Sequence, residues 1–157
     1  MLGSANLIDV VHSDIHLERL YPAGPDRVWQ AWADDASRRR WFVEGEGFEI
    51  SEYSFAFRVG GQERGRFRFK DGPTIYNETA FLDIQPGRRI VYAYTMGYDT
   101  GPFTASLATI EIRPEGQGSR LVFHEQLALL TDGADGPEIR TAGWTDLLDA
   151  LGRELSV

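Results

Sequence analysis

Few side chains in this sequence could carry chemistry, and Glu125 is the most telling of them. Leu121 and Phe123 alternate on one face of the run Ser119 to Leu127, and Glu125 continues in the same phase. A carboxyl pointing with them into an apolar hollow would be desolvated, its pKa would rise, and it becomes a candidate acid–base group. Tyr92 and Tyr94 on the run Arg88 to Met96 supply hydroxyls that could orient a carbonyl, and Ser106 faces the same side. A buried Glu paired with an Arg or a Tyr for structural reasons is the competing account of that carboxyl.

Other chemistries find no support. The sequence has no cysteine, which removes disulfides, thiolate catalysis and Cys-based metal sites. Of three histidines, His12 and His16 flank the start of a strand, where a spacing of four separates them by about 13 Å. His124 alternates outward from Leu121 and Phe123. No metal and no cofactor is therefore expected. Gly60-Gly61 reads as a hairpin turn rather than a phosphate loop, and no Ser sits in a nucleophile elbow.

The elements that position these groups follow from periodicity. Asp14 to Tyr21 reads as a first strand, broken by Pro22 and Pro25, with Pro25 suited to the first turn of a helix. Val28 and Trp32 share one helical face, and Asp34 or Asp35 caps a second short helix, Ser37 to Trp41. The period then changes to two. Tyr53, Phe55, Phe57 and Val59 alternate with polar neighbours, and Phe67 and Phe69 point inward against Arg66, Arg68 and Lys70. Further strands are expected at about Thr74 to Ile84, Arg88 to Met96, Phe103 to Arg113 and Ser119 to Leu127, divided by Gly- and Pro-bearing turns. Six short-linked strands in succession make an antiparallel meander. Trp144, Leu147, Leu148, Leu151 and Leu155 then form the apolar stripe of a long last helix, with Asp146, Asp149, Arg153 and Glu154 on its other side.

That stripe must be buried, and the hollow face of a curled sheet is the surface that remains. A straight helix across a curved sheet leaves a gap that is either filled or open. The expected fold class is α+β: a curved antiparallel sheet of six to seven strands wrapped around a C-terminal helix, with two short helices after the first strand. One domain is expected over 1–157, its core about 13–155. The candidate ligand-binding residues of its hollow are Phe57, Phe67, Tyr92, Tyr94, Ser106, Glu125, Trp144 and Leu148. Apolar walls with a few convergent polar groups are the usual form of a small-molecule site.

Composition limits the partners. The formal net charge is −8 over 157 residues, which repels nucleic-acid phosphates and anionic membranes. Arg38, Arg39 and Arg40 cluster, and a solvated helix face accounts for them. Residues Met1 to Val11 lack the basic start of a signal peptide, and no apolar run reaches the length of a membrane span. A cytoplasmic location is the expectation by default. Edge strands leave a homodimer open.

The same residues resemble a known family from about Ser13 to Leu155. Pro25-Asp26-Arg27-Val28-Trp29 and Arg40-Trp41-Phe42 are similar to the helix-start pattern of the START-like, or SRPBCC, superfamily. Phe57-Arg58-Val59-Gly60-Gly61, Leu82-Asp83-Ile84-Gln85-Pro86 with Arg89-Ile90-Val91-Tyr92, Gly118-Ser119-Arg120-Leu121 and Gly143-Trp144 resemble its branch named for the activator of heat shock protein 90 ATPase. The resemblance implies a helix-grip fold with a cavity between the sheet and the last helix. Two positions depart from it: Gly24 stands where Ala usually precedes the proline, and Glu125 where many relatives carry His.

Three readings of function follow. The leading one is binding of a small hydrophobic or amphipathic molecule in the cavity. The second is a co-chaperone-like domain that binds a protein partner, with the stress-response role that such a partner implies. The third is a cofactor-free cyclase- or hydrolase-like enzyme using Glu125 and a tyrosine.

Overall fold

The computed structural model describes residues 7–45, 47–132 and 136–156. Most of the opening stretch weighed above as a leader, Met1 to Asn6, lies outside the described residues. The chain runs β1 (Leu7–Tyr21), α1 (Pro25–Ala33), α2 (Asp35–Arg38), a single π turn (Arg39–Val43), then β2 (Phe48–Phe55), β3 (Gln62–Phe69), β4 (Ile75–Gln85), β5 (Arg89–Tyr98), β6 (Gly101–Glu115), β7 (Gly118–Thr131) and α3 (Pro137–Leu155). The seven strands form one antiparallel sheet in the order β1-β7-β6-β5-β4-β3-β2. This is the expected helix-grip α+β architecture.

Strands β2 to β7 are the meander, and β1 closes onto β7. The chain must therefore travel from one sheet edge to the other between β1 and β2. Helices α1 and α2 and the π turn make that journey over the hollow face, so Val28, Ala31, Trp32 and Trp41 are buried there. Pro25 opens α1, and the Asp34 carboxylate accepts from the Ser37 N–H to cap α2, as expected. The π turn closes through Glu44 N–H to Arg39 O at 2.8 Å.

Alternation fixes the faces of the long strands. Ile90, Tyr92 and Tyr94 of β5, Ser106, Ala108, Ile110 and Ile112 of β6, and Leu121, Phe123, Glu125 and Leu127 of β7 all point into the core. The register places Ser106 beside Tyr94 and Ala108 beside Glu125, so these rows lie side by side across three strands. Trp144, Leu148 and Leu151 of α3 pack down on them.

Several expectations need correction. Strand β2 begins at Phe48 and ends at Phe55, and Val59 is exposed in the turn beyond it. Phe69 is also exposed; it and Phe67 pack against Phe48 at the sheet edge rather than in the core. Helix α3 starts at Pro137, seven residues before its first stripe residue, because Pro137 and the buried Arg140 extend it. Glu154 is buried rather than outward, since Arg40 and Ser37 reach it with hydrogen bonds of 2.7 and 2.8 Å.

Candidate functional site

The hollow face carries two guanidinium–carboxylate pairs in an aromatic setting. The first is Arg38 with Glu63, 25 residues apart. Arg38 Nε donates to Glu63 Oε2 at 2.9 Å and Nη2 to Oε1 at 2.7 Å, a two-pronged match of planar fork to carboxylate. The Tyr53 hydroxyl adds a short hydrogen bond to Glu63. Four rings surround the guanidinium: Phe42 at 4.2 Å from its carbon, Trp32 at 5.1 Å, Phe55 at 5.4 Å and Trp41 at 5.5 Å. Aromatic faces attract a cation, most strongly where water is excluded. Burial opposes the Arg38 charge, and Glu63 more than offsets this, so the guanidinium stays protonated.

The Arg38 finding overturns the solvated reading of the Arg38–Arg40 cluster. Arg39 and Arg40 do reach solvent, but Arg38 is 1% exposed. Two turns of mixed α and π geometry direct Arg38 into the core along with Ser37 and Trp41.

The second pair is Arg140 with Glu125. Arg140 Nη1 lies 3.0 Å from Glu125 Oε2, and its Nη2 donates to Thr104 Oγ1 at 2.8 Å. Glu125 also accepts from Tyr94 OH at 2.6 Å and from Ser106 Oγ at 2.7 Å. Tyr94 in turn accepts from Arg140 at 2.9 Å and from Trp144 Nε1 at 3.3 Å. Burial first, and then the Glu125 charge, push the Tyr94 phenol above its ordinary range, so it stays a donor to the carboxylate. Both Glu125 oxygens are thus engaged by three donors. The desolvated, unpaired carboxyl expected of an acid–base catalyst is instead one half of an ion pair.

Tyr92 lies between the two pairs. Its ring is 5.8 Å from Tyr94 and 6.0 Å from Phe81, and its hydroxyl feels the charges of Arg38, Glu125 and Glu63. Burial pushes that phenol far up. Its oxygen has no hydrogen-bond partner among the described residues, and neither do Arg38 Nη1 and Trp32 Nε1. All three side chains are buried. Buried polar atoms without partners are uncommon in native proteins and call for an explanation.

The structure gathers Tyr92, Tyr94, Ser106, Glu125, Trp144 and Leu148 on one wall. Phe57 is half-buried beside Trp29 and Phe81, at the rim of the same core. Phe67 stands apart at the β2–β3 edge. Rings occupy the space beneath α3: Trp144 packs on Phe123 at 4.3 Å, stacks on Trp32 at 6.4 Å and meets Phe42 at 6.1 Å. Two surface clefts lie elsewhere, one of about 210 Å³ over Gly65 and a shallower one of about 410 Å³ along β1, β6 and β7. Arg38, Glu63 and Arg140 escaped the sequence reading, although signals pointed to the last two. Glu63 keeps phase with Phe67 on β3, and Arg140 precedes Trp144 by four on the buried face of α3.

No group of three or more His, Asp or Glu suited to a metal occurs among the described residues. No described helix is long and apolar enough to cross a membrane.

A family model described as activator of Hsp90 ATPase homolog 1-like protein matches residues 22–156. Among solved structures, the Mll3558 protein of Rhizobium loti is 46% identical, with a TM-score of 0.86 over 94% of this chain and 99% of that one. A protein of Rhizobium leguminosarum is 32% identical, with a TM-score of 0.89 over 94% and 97%. The CV1439 protein of Chromobacterium violaceum is 27% identical, with a TM-score of 0.77 over 92% and 97%. No curated protein matches the chain.

Proposed function

This chain belongs to the activator of Hsp90 ATPase homolog 1-like family, and from that premise we propose that it binds a small amphipathic molecule against the hollow face of its sheet, beneath α3. One observation carries the reading: three buried polar atoms, on Trp32, Arg38 and Tyr92, have no hydrogen-bond partner among the described residues, in a core rich in aromatic rings. A purely structural core would more simply place apolar groups there, since unpaired buried donors cost about 1–3 kcal/mol each. A ligand that brings an acceptor to them, and aromatic surface to the rings, makes use of both.

Entry requires rings to move. Phe42 is the natural door: it is half-buried, sits on the π turn, and covers both Arg38 and Trp144. Single π turns are frequent at functional sites. On this reading Phe57 and Leu148 line the apolar end, Tyr94, Ser106 and Glu125 hold the wall, and Phe67 has no part. A cytoplasmic setting belongs to the same reading and accords with a cysteine-free acidic chain. Titration with an apolar fluorescent dye tests it. Saturable binding at one site per chain, weakened by Phe42→Asp, is expected; a flat titration removes the reading.

A protein-partner role is the second reading, and one observation favours it. Phe48 and Ile50 of the open edge strand β2 are exposed together with Phe69, which pairs with Phe48 at the end of β3. Adding the protein to purified Hsp90 and following ATP hydrolysis tests it. An unchanged rate removes the co-chaperone form of this reading.

A further inference from the structure

The unpartnered atoms have a chemistry of their own. Trp32 Nε1 and Arg38 Nη1 can only donate hydrogen bonds, and the Tyr92 hydroxyl donates once its proton is held by burial. They belong to one neighbourhood: the Trp32 ring lies 5.1 Å from the Arg38 guanidinium, Phe55 lies 5.4 Å from it, and Phe81 bridges Phe55 to Tyr92 at 6.0 Å on each side. A donor set of this kind calls for an acceptor.

Charge narrows the acceptor further. Arg38 is matched by Glu63 and Arg140 by Glu125, each one to one. The hollow is therefore electrically balanced before anything binds. A full anion would add an unmatched charge between two carboxylates in a dry setting, which is strongly unfavourable. A neutral acceptor adds none. The flanking rings of Trp32, Trp41, Phe42 and Phe55 suit a flat apolar body behind it.

We propose that Trp32, Arg38 and Tyr92 form the head-group site of this hollow, and that it takes the carbonyl oxygen of an uncharged, flat ligand such as an aryl ketone or quinone. The inference rests on the small-molecule reading above and specifies its ligand class. Arg38 serves two roles here, pairing Glu63 with Nε and Nη2 and presenting Nη1 to the ligand. An ordered water is the other occupant that could satisfy the three donors, and it would leave the site indifferent to carbonyls.

Three probes of similar shape decide the matter: 2-acetylnaphthalene, 2-ethylnaphthalene and 2-naphthoate, titrated by tryptophan fluorescence. The ketone is expected to bind about tenfold tighter than the hydrocarbon, the equivalent of one or two hydrogen bonds, and tighter than the carboxylate. Infrared spectra should show the bound ketone's carbonyl stretch shifted to lower frequency. Tyr92→Phe should narrow the ketone-to-hydrocarbon ratio and reverse part of that shift. Equal binding of ketone and hydrocarbon, or strongest binding of naphthoate, overturns the head-group assignment while leaving a small-molecule site standing. Binding of none of the three overturns both.

Discussion

Arg38 and Glu63 meet across the hollow face as a two-pronged ion pair, with both side chains at most 2% exposed. One comes from the helical crossing and the other from the third strand, so the pair ties the crossing to the sheet. Buried pairs of this kind do not gain much over apolar packing, but breaking one leaves an uncompensated charge.

Glu63→Gln should therefore destabilise the protein by about 3–5 kcal/mol, because it strands the Arg38 cation in its ring cage. Replacing both partners, Arg38→Met with Glu63→Leu, should cost less than the two single changes added together. Urea denaturation of the four proteins measures the coupling, and strict additivity would contradict a shared ion pair.

Glu125→Gln distinguishes structure from catalysis at the other pair. An acid–base residue could be changed with the fold intact. Here Arg140 loses its counter-charge, so a loss of about 3–5 kcal/mol is expected. A thermal midpoint within a degree of wild type would show that the carboxylate is not holding Arg140.

Tyr92→Phe should behave in the opposite way. Its hydroxyl has no hydrogen-bond partner among the described residues, so its removal should be neutral or should stabilise the fold by roughly 1 kcal/mol. A clear destabilisation would mean that the hydroxyl has a partner inside the folded chain.

Acid should loosen α3 from the helical crossing. Hydrogen bonds from Arg40, joined by one from Ser37, hold the Glu154 carboxyl below its ordinary 4.5 despite partial burial. A group whose folded pKa is depressed adds stability above its unfolded value and loses it as pH falls through the folded one. Stability should accordingly drop below about pH 4.5, the value of the unfolded carboxyl. Glu154→Gln should be less stable at neutral pH and flatter across that range, as followed by circular dichroism.

Gly118 begins β7 beneath the end of β1, and a Cβ there would overlap the Tyr21 carbonyl oxygen. Gly118→Ala should push β1 from β7 and disturb Tyr21, whose hydroxyl donates to Leu148 O at 2.7 Å. Faster amide exchange at β1 and mid-α3 is the expected result, and wild-type exchange there would refute the contact.

The long strands were legible because period-two alternation is strong where one face is buried. Tyr92, Tyr94, Ser106 and Glu125 follow from it directly. Edges were less legible: Phe67 and Phe69 alternate just as well, yet at the β2–β3 margin Phe69 is exposed and Phe67 only half-buried. The charged half of the site was hardest to read. An arginine is ordinarily solvated, so Arg38 looked like its neighbours, yet it is buried where Arg39 and Arg40 reach solvent. Arg140 was hidden because the apolar stripe that marks α3 begins at Trp144, one turn later.

Native mass spectrometry of the protein as purified from cells tests the central claim most directly. A bound small molecule, one per chain, released by organic solvent and carrying an uncharged carbonyl, is the result predicted. Bare protein in every preparation, together with no uptake of the naphthyl probes, would contradict it.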